Sequence, residues 1–147
     1  MIELQSHDLV EAVRAMSRLS RIVERASDEL SFADYRVMSA IAEGEARASR
    51  LASRLLLGKP TISSTVDSLS RRGLIVKSTV EGDNRAVELA LSAEGALLFE
   101  RMEARMVRQL ELLASRTPEP AVVVRSLVQL GVVIEESMAA HAREVDA

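Results

Sequence analysis

The chain has no cysteine among its 147 residues. That excludes disulfides, thiolate metal sites and thiol-based redox sensing. Histidine is nearly as scarce, with two. His7 and His141 lie far apart in sequence, and no close carboxylate pattern accompanies them, so no metal is expected. Two histidines also leave little acid–base capacity. No nucleophile–base pairing or phosphate loop stands out, so the chain is not expected to be an enzyme. Aromatic residues are limited to two phenylalanines and one tyrosine. Stacking on a ligand therefore has few candidates, and Phe32 and Tyr35 are the ones to watch. No apolar run approaches the roughly 20 residues of a membrane span. The longest, Ala121 to Ile134, is broken by Arg125, Ser126 and Gln129. The first ten residues lack the basic-then-apolar order of a signal peptide. A soluble cytoplasmic protein with no cofactor and no membrane partner is expected. Lysine too is rare: only Lys59 and Lys77 among 19 basic residues. This arginine bias fits a GC-rich bacterial genome.

What is present is a basic centre between acidic flanks. The net charge is −3. Residues 47 to 85 carry eight basic against three acidic side chains, a balance of +5, and the rest of the chain carries −8. Such a distribution would turn one face toward phosphate and repel it elsewhere. The alternative is a chance cluster of solvated arginines, and charge alone does not choose.

A length of 147 residues fits one domain, or one module elaborated by extra helices. Residues 4 to 26 place Leu9, Val13, Met16, Leu19 and Val23 on one helical stripe. The pattern breaks near Ser27 to Ser31. Ser31 with Asp34 resembles a capping box, opening a helix that runs to about Glu43 and stops at Gly44. Ser49 is then expected to cap a short helix carrying Leu51, Ala52 and Leu55. Leu56 to Gly58 form a turn, and Lys59, Pro60 and Thr61 open the next helix. Ile62, Val66 and Leu69 are its buried stripe. Its opposite face shows Pro60, Ser64, Asp67 and Arg71, flanked by Thr61, Ser63 and Ser68. Small hydroxyl residues on an exposed face suit a helix that must enter a groove. Asp67 there is expected to pair with a nearby arginine.

After Gly73 the period drops to about two. Leu74 to Thr79 and Ala86 to Leu91 read as strands around the turn VEGDNR. A hairpin directly after such a helix is a wing, and Arg85 near its tip can reach an adjacent minor groove. Ser92 caps a long helix with Leu98, Phe99, Met102, Met106, Leu110 and Leu113, its methionines read as core. Thr117 to Pro120 breaks the chain before a last, unusually apolar helix. One subunit offers little to cover these terminal helices, so they are expected to pack on a second subunit.

Two segments carry a family resemblance. LASRLLLGKPTISSTVDSLSRRGLI, residues 51 to 75, resembles the helix-turn-helix of the MarR-type regulators, with Lys-Pro-Thr opening the recognition helix. GDNRAVELALSAEG, residues 82 to 95, resembles their wing, with its Asp-x-Arg pair and following helix start. The order of elements matches over nearly the whole chain. Gly58 stands where serine is usual, Ser64 where a basic residue is common, and Asn84 for the middle arginine of the wing motif.

The resemblance implies a mainly α fold with a small β-hairpin wing, a winged helix-turn-helix module plus a helical dimerisation domain. Residues 1–30 would form an N-terminal dimerisation helix, 31–91 the DNA-binding module and 92–147 the C-terminal dimerisation helices. It implies a homodimer on a pseudo-palindromic operator in double-stranded DNA. It further implies a repressor released by a small anionic or phenolic ligand between the two parts. The expected DNA-binding residues are Ser49, Arg54, Lys59, Pro60, Thr61, Ser63, Ser64, Arg71, Lys77, Asp83 and Arg85. Arg72 is read as a phosphate contact or surface charge. Phe32 and Tyr35 are the expected pocket residues. Two alternatives stay open: a dimeric protein-interaction module that keeps the fold, and a DNA-binding regulator with no small-molecule ligand.

Overall fold

A computed structural model of the chain describes residues 5–45 and 47–145, with the side chains of 83–86 and 141–145 outside the description. Six helices and one hairpin follow in the order α1 (Ser6–Glu24), α2 (Phe32–Ala42), α3 (Ala48–Leu55), α4 (Lys59–Arg71), β1 (Ile75–Val80), β2 (Asp83–Leu91), α5 (Ala93–Ala114) and α6 (Pro120–Val145).

Helix α2 begins where its capping box forms. The Ser31 hydroxyl accepts from the Asp34 amide at 3.1 Å, and the Asp34 carboxylate accepts from the Ser31 amide at 3.0 Å. Helix α3 starts differently from the expectation. Its N-cap is Arg47, with no side-chain cap, so Ser49 lies inside the first turn and caps nothing. The cause is tertiary: Arg47 bridges Glu88 of β2, which holds it extended, so the helix starts at Ala48, two residues earlier than a Ser49 cap would place it. Helix α4 follows Gly58, also without a side-chain cap.

The hairpin is longer than the alternation of residues suggested. Gly82, with φ of 86°, lets Glu81 and Gly82 turn the chain alone, and β2 begins at Asp83. β1 and β2 pair antiparallel, with an irregularity between Thr79 and Val80.

One core joins the winged module to the long helix after it. Val37, Met38 and Ile41 of α2, Leu51 of α3, and Ile62, Val66 and Leu69 of α4 are buried together. They pack with Leu74, Ile75 and Leu89 of the hairpin and with Leu98, Phe99, Met102 and Met106 of α5. The core thus continues past residue 91 into α5. By contrast, no described side chain of α1 or α6 is buried. Among the described residues no helix is long and apolar enough to cross a membrane.

Candidate nucleic-acid interface

The two faces of α4 differ in chemistry. Ile62, Val66 and Leu69 point into the core. Lys59, Pro60, Thr61, Ser63, Ser64, Asp67 and Arg71 are exposed. The helix is pressed onto α2 and α3 by its apolar stripe, so its small polar face is what remains for a partner. The turn before it is held from behind. Leu56 takes the left-handed conformation, with φ of 50°, and Arg36 of α2 donates to the Leu55 carbonyl at 3.0 Å.

The N-terminus of α4 has no side-chain acceptor for its free amides, and Lys59 adds positive charge beside them. Both favour an anion at this end. Lys59 and Arg50 have no ion pair among the described residues, and Arg47 is exposed. Arg47 and Arg50 belong to the basic centre of residues 47 to 85 but carry no motif of their own. Their exposure on the first turn of α3, beside α4, is what marks them.

Three other cations are engaged within the protein. Lys77 donates to the Asp67 carboxylate at 2.5 Å, tying β1 to α4. The partner of Asp67 is therefore a lysine rather than the expected arginine. Lys77 holds the Asp67 carboxyl below its ordinary pKa, first through that hydrogen bond and then through its charge. Arg54 is paired with Glu43. Arg72 is exposed but engaged: it meets Asp34 at 3.4 Å and donates to the Glu29 carbonyl. Arg71 makes only a long bond, 3.4 Å, to the Asp67 carbonyl. The side chains of Asp83 and Arg85 lie outside the described residues.

A cleft of about 1000 Å³ opens between α2, α3 and α6. Tyr35 lines it and Phe32 does not. Phe32 sits one helical turn before Tyr35, and its ring stacks on that of Tyr35 at 6.0 Å between centroids. Tyr35 stacks in turn on Phe99 of α5 at 5.4 Å. All three aromatic residues of the chain thus form one ladder between α2 and α5. The Tyr35 hydroxyl donates to Glu103 at 3.0 Å. Burial, with that acceptor and its charge, pushes the phenol up to about 12. The cleft wall carries Arg36, Arg50 and Arg54 against Glu43, Glu45 and Glu135.

Residues 28–86, from the turn before α2 into the wing, match the sequence profile of the MarR family. The matched stretch is thus similar to the winged module of the MarR family. That family is one of DNA-binding transcriptional regulators, not of enzymes. The chain is 24% identical over 127 residues to the HTH-type transcriptional regulator PecS of Dickeya dadantii, covering 79% of this chain and 76% of that one. Solved structures agree on the fold. A MarR-family regulator from Rhodococcus sp. RHA1 aligns with a TM-score of 0.76 at 21% identity, over 90% of this chain and 96% of its own. The PcaV regulator of Streptomyces coelicolor, solved with its natural ligand, aligns with a TM-score of 0.66 at 24% identity, over 90% and 97%. The MarR-type wing helix start has a steric basis here. Ser92 caps α5 by accepting from the Gly95 amide at 3.0 Å, and a Cβ on Gly95 would lie 1.9 Å from the Leu74 carbonyl oxygen.

Proposed function

We propose that the chain is a MarR-type regulator, a homodimer that binds a pseudo-palindromic operator and represses by covering a promoter. The observation that carries this reading is the division of α4 into a core-facing apolar stripe and an exposed face of Lys59, Pro60, Thr61, Ser63 and Ser64. Lys59 and the open N-terminus of α4 would meet phosphate, while the hydroxyls approach base edges. Arg47, Arg50, Ser49 and Arg71 would flank them on the backbone. Lys77 and Arg54 would contact phosphate only by exchanging their carboxylate partners for it. Asp83 and Arg85 would set and insert the wing.

Dimerisation is supported by uncovered apolar surface on both terminal helices. Val13 and Val128 are each 63% exposed, and Leu9, Met16, Val132 and Val133 are also open. Residues 1–30 and 92–147 would supply that interface. A ligand-controlled repressor is supported by the cleft between α2, α3 and α6, and PcaV is a relative with a natural ligand. A small phenol or anion would use Arg50, which lines the cleft and has no ion pair among the described residues.

Fluorescence anisotropy against the DNA upstream of its own gene tests the reading. The expected result is sequence-specific binding, tighter than to random duplex by about 4–10 kcal/mol. Absent or sequence-independent binding at low salt would overturn it.

A further inference from the structure

The segment joining α1 to α2 is short, yet it is anchored on every side. Ser27 is buried, and its hydroxyl accepts from the Glu29 amide at 3.3 Å. Leu30 is buried in the common core. Ser31 and Asp34 close the capping box immediately after it. Glu29 is thus held between a buried serine and a buried leucine, and its position is fixed by the fold.

Three arginines from two elements converge on this one residue. Its carboxylate meets Arg101 at 3.7 Å and Arg105 at 3.5 Å, two arginines one turn apart on α5. Met102 and Met106, adjacent to them in sequence, point the other way into the core. The Glu29 backbone carbonyl accepts from Arg72, which directly follows α4. Arg72 also reaches Asp34, the capping residue of α2. A continuous polar connection therefore runs from α5, through Glu29, to the C-terminal end of α4. It joins the helix that leads to the uncovered apolar surfaces with the helix that carries the DNA-facing side chains.

We propose that Glu29 is a positioning residue for DNA binding, setting the orientation of α4 relative to the dimerising helices and hence the half-site spacing the protein accepts. The proposal rests on the operator-binding dimer described above. These ion pairs are half exposed, so they add little to global stability. Their effect is on angle. In a symmetric dimer the separation of the two recognition helices follows from the tilt of each module on its own α5. Operator spacing must match that separation. A weak interaction is sufficient when it selects among orientations of nearly equal energy.

The experiment uses the full chain and a palindromic duplex selected from random-sequence DNA with the wild-type protein. Further duplexes have one or two base pairs added or removed between the half-sites. The variant is Glu29→Gln, which keeps side-chain size and the carbonyl that Arg72 uses, and removes only the charge facing α5. Wild type is expected to lose about tenfold or more in affinity at altered spacings, within the range typical of coupling between sites. Glu29→Gln is expected to flatten that discrimination by about threefold or more, a shift on the scale of direct pair couplings. Its thermal midpoint should stay close to wild type. The Arg101→Gln, Arg105→Gln pair should flatten the profile equally and add nothing in the Glu29→Gln background. A spacing profile unchanged by Glu29→Gln would overturn the proposal. So would an equal loss at every spacing, which marks a merely structural role, and so would additive effects of the two sets. If wild type itself shows no spacing preference, the operator-binding dimer falls as well; if only the variant fails to differ, the dimer stands and the role of Glu29 does not.

Discussion

Tyr35 is the residue whose environment makes the sharpest measurable claim. It is the only tyrosine in a chain without tryptophan, so alkaline absorbance titration reports it alone. Its ionisation should centre near 12 rather than 10.0, because burial and the Glu103 carboxylate both oppose a phenolate. The folded chain then holds this proton after the unfolded chain has released it. Stability contributed by the group is intact below pH 10.0 and falls as pH rises toward 12. Comparing wild type with Tyr35→Phe isolates that slope, and an ordinary midpoint in the folded protein would disprove the Glu103 bond. Singling out Tyr35 from sequence rested on scarcity of aromatics, which could place the ring near a cleft but not its partner. Glu103 lies 68 residues further along the chain, and nothing local connects them. The same limit applies to Asp67. Its exposed position on α4 was legible from helical period, whereas its lysine partner depends on how β1 lies beside α4.

Elements were legible wherever their causes are local. The Ser31–Asp34 capping box, the Ile62–Val66–Leu69 stripe and the Ser92 cap each depend on residues within a turn or two. The start of α3 was not legible, because the bridge between Arg47 and Glu88 overrides the capping tendency of Ser49. The hairpin was legible as a hairpin, but its tip was placed too wide, since one glycine at positive φ suffices for the turn. Gly95 shows how an element boundary is enforced by space. The first turn of α5 lies against the strand entry, where Ser92 donates to the Gly73 carbonyl at 2.6 Å and its amide donates to Leu74. A methyl group at Gly95 would collide with the Leu74 carbonyl, which is backbone and cannot swing aside. Gly95→Ala should therefore destabilise the fold by about 1–3 kcal/mol, as overpacking does, although alanine is the better helix former. Denaturant unfolding checks this, and a midpoint at or above wild type would mean that α5 approaches the strand less closely.

At the scale of the whole molecule, charge and apolar surface lead to one joint prediction. On α6, Val122, Val124, Val128, Leu130, Val132, Val133 and Ile134 are all exposed. At helical spacing these positions spread round the axis rather than line one side, and so much exposed apolar surface marks an interaction face. In the proposed dimer a second copy of the chain would cover it, which would also pair two winged modules. The basic centre then counts twice. Of its cations, Arg54, Arg72 and Lys77 already neutralise carboxylates. Arg47, Arg50, Lys59 and Arg71 remain exposed on the module. If each meets a phosphate, the dimer neutralises eight, and the logarithm of operator affinity should fall against that of salt with a slope of about −7. A phosphate contact by Arg85 of both wings, in place of groove insertion, would steepen it to about −9. Anisotropy titrations at several salt concentrations measure the slope directly. A value near −4 would mean that one module touches DNA at a time, against the dimer reading. Val13→Glu combined with Val128→Glu places charge on the two most open apolar positions of the terminal helices. This variant should sediment as a monomer and move the slope from the dimer value toward the single-module value, while the winged module, whose core excludes both residues, stays folded.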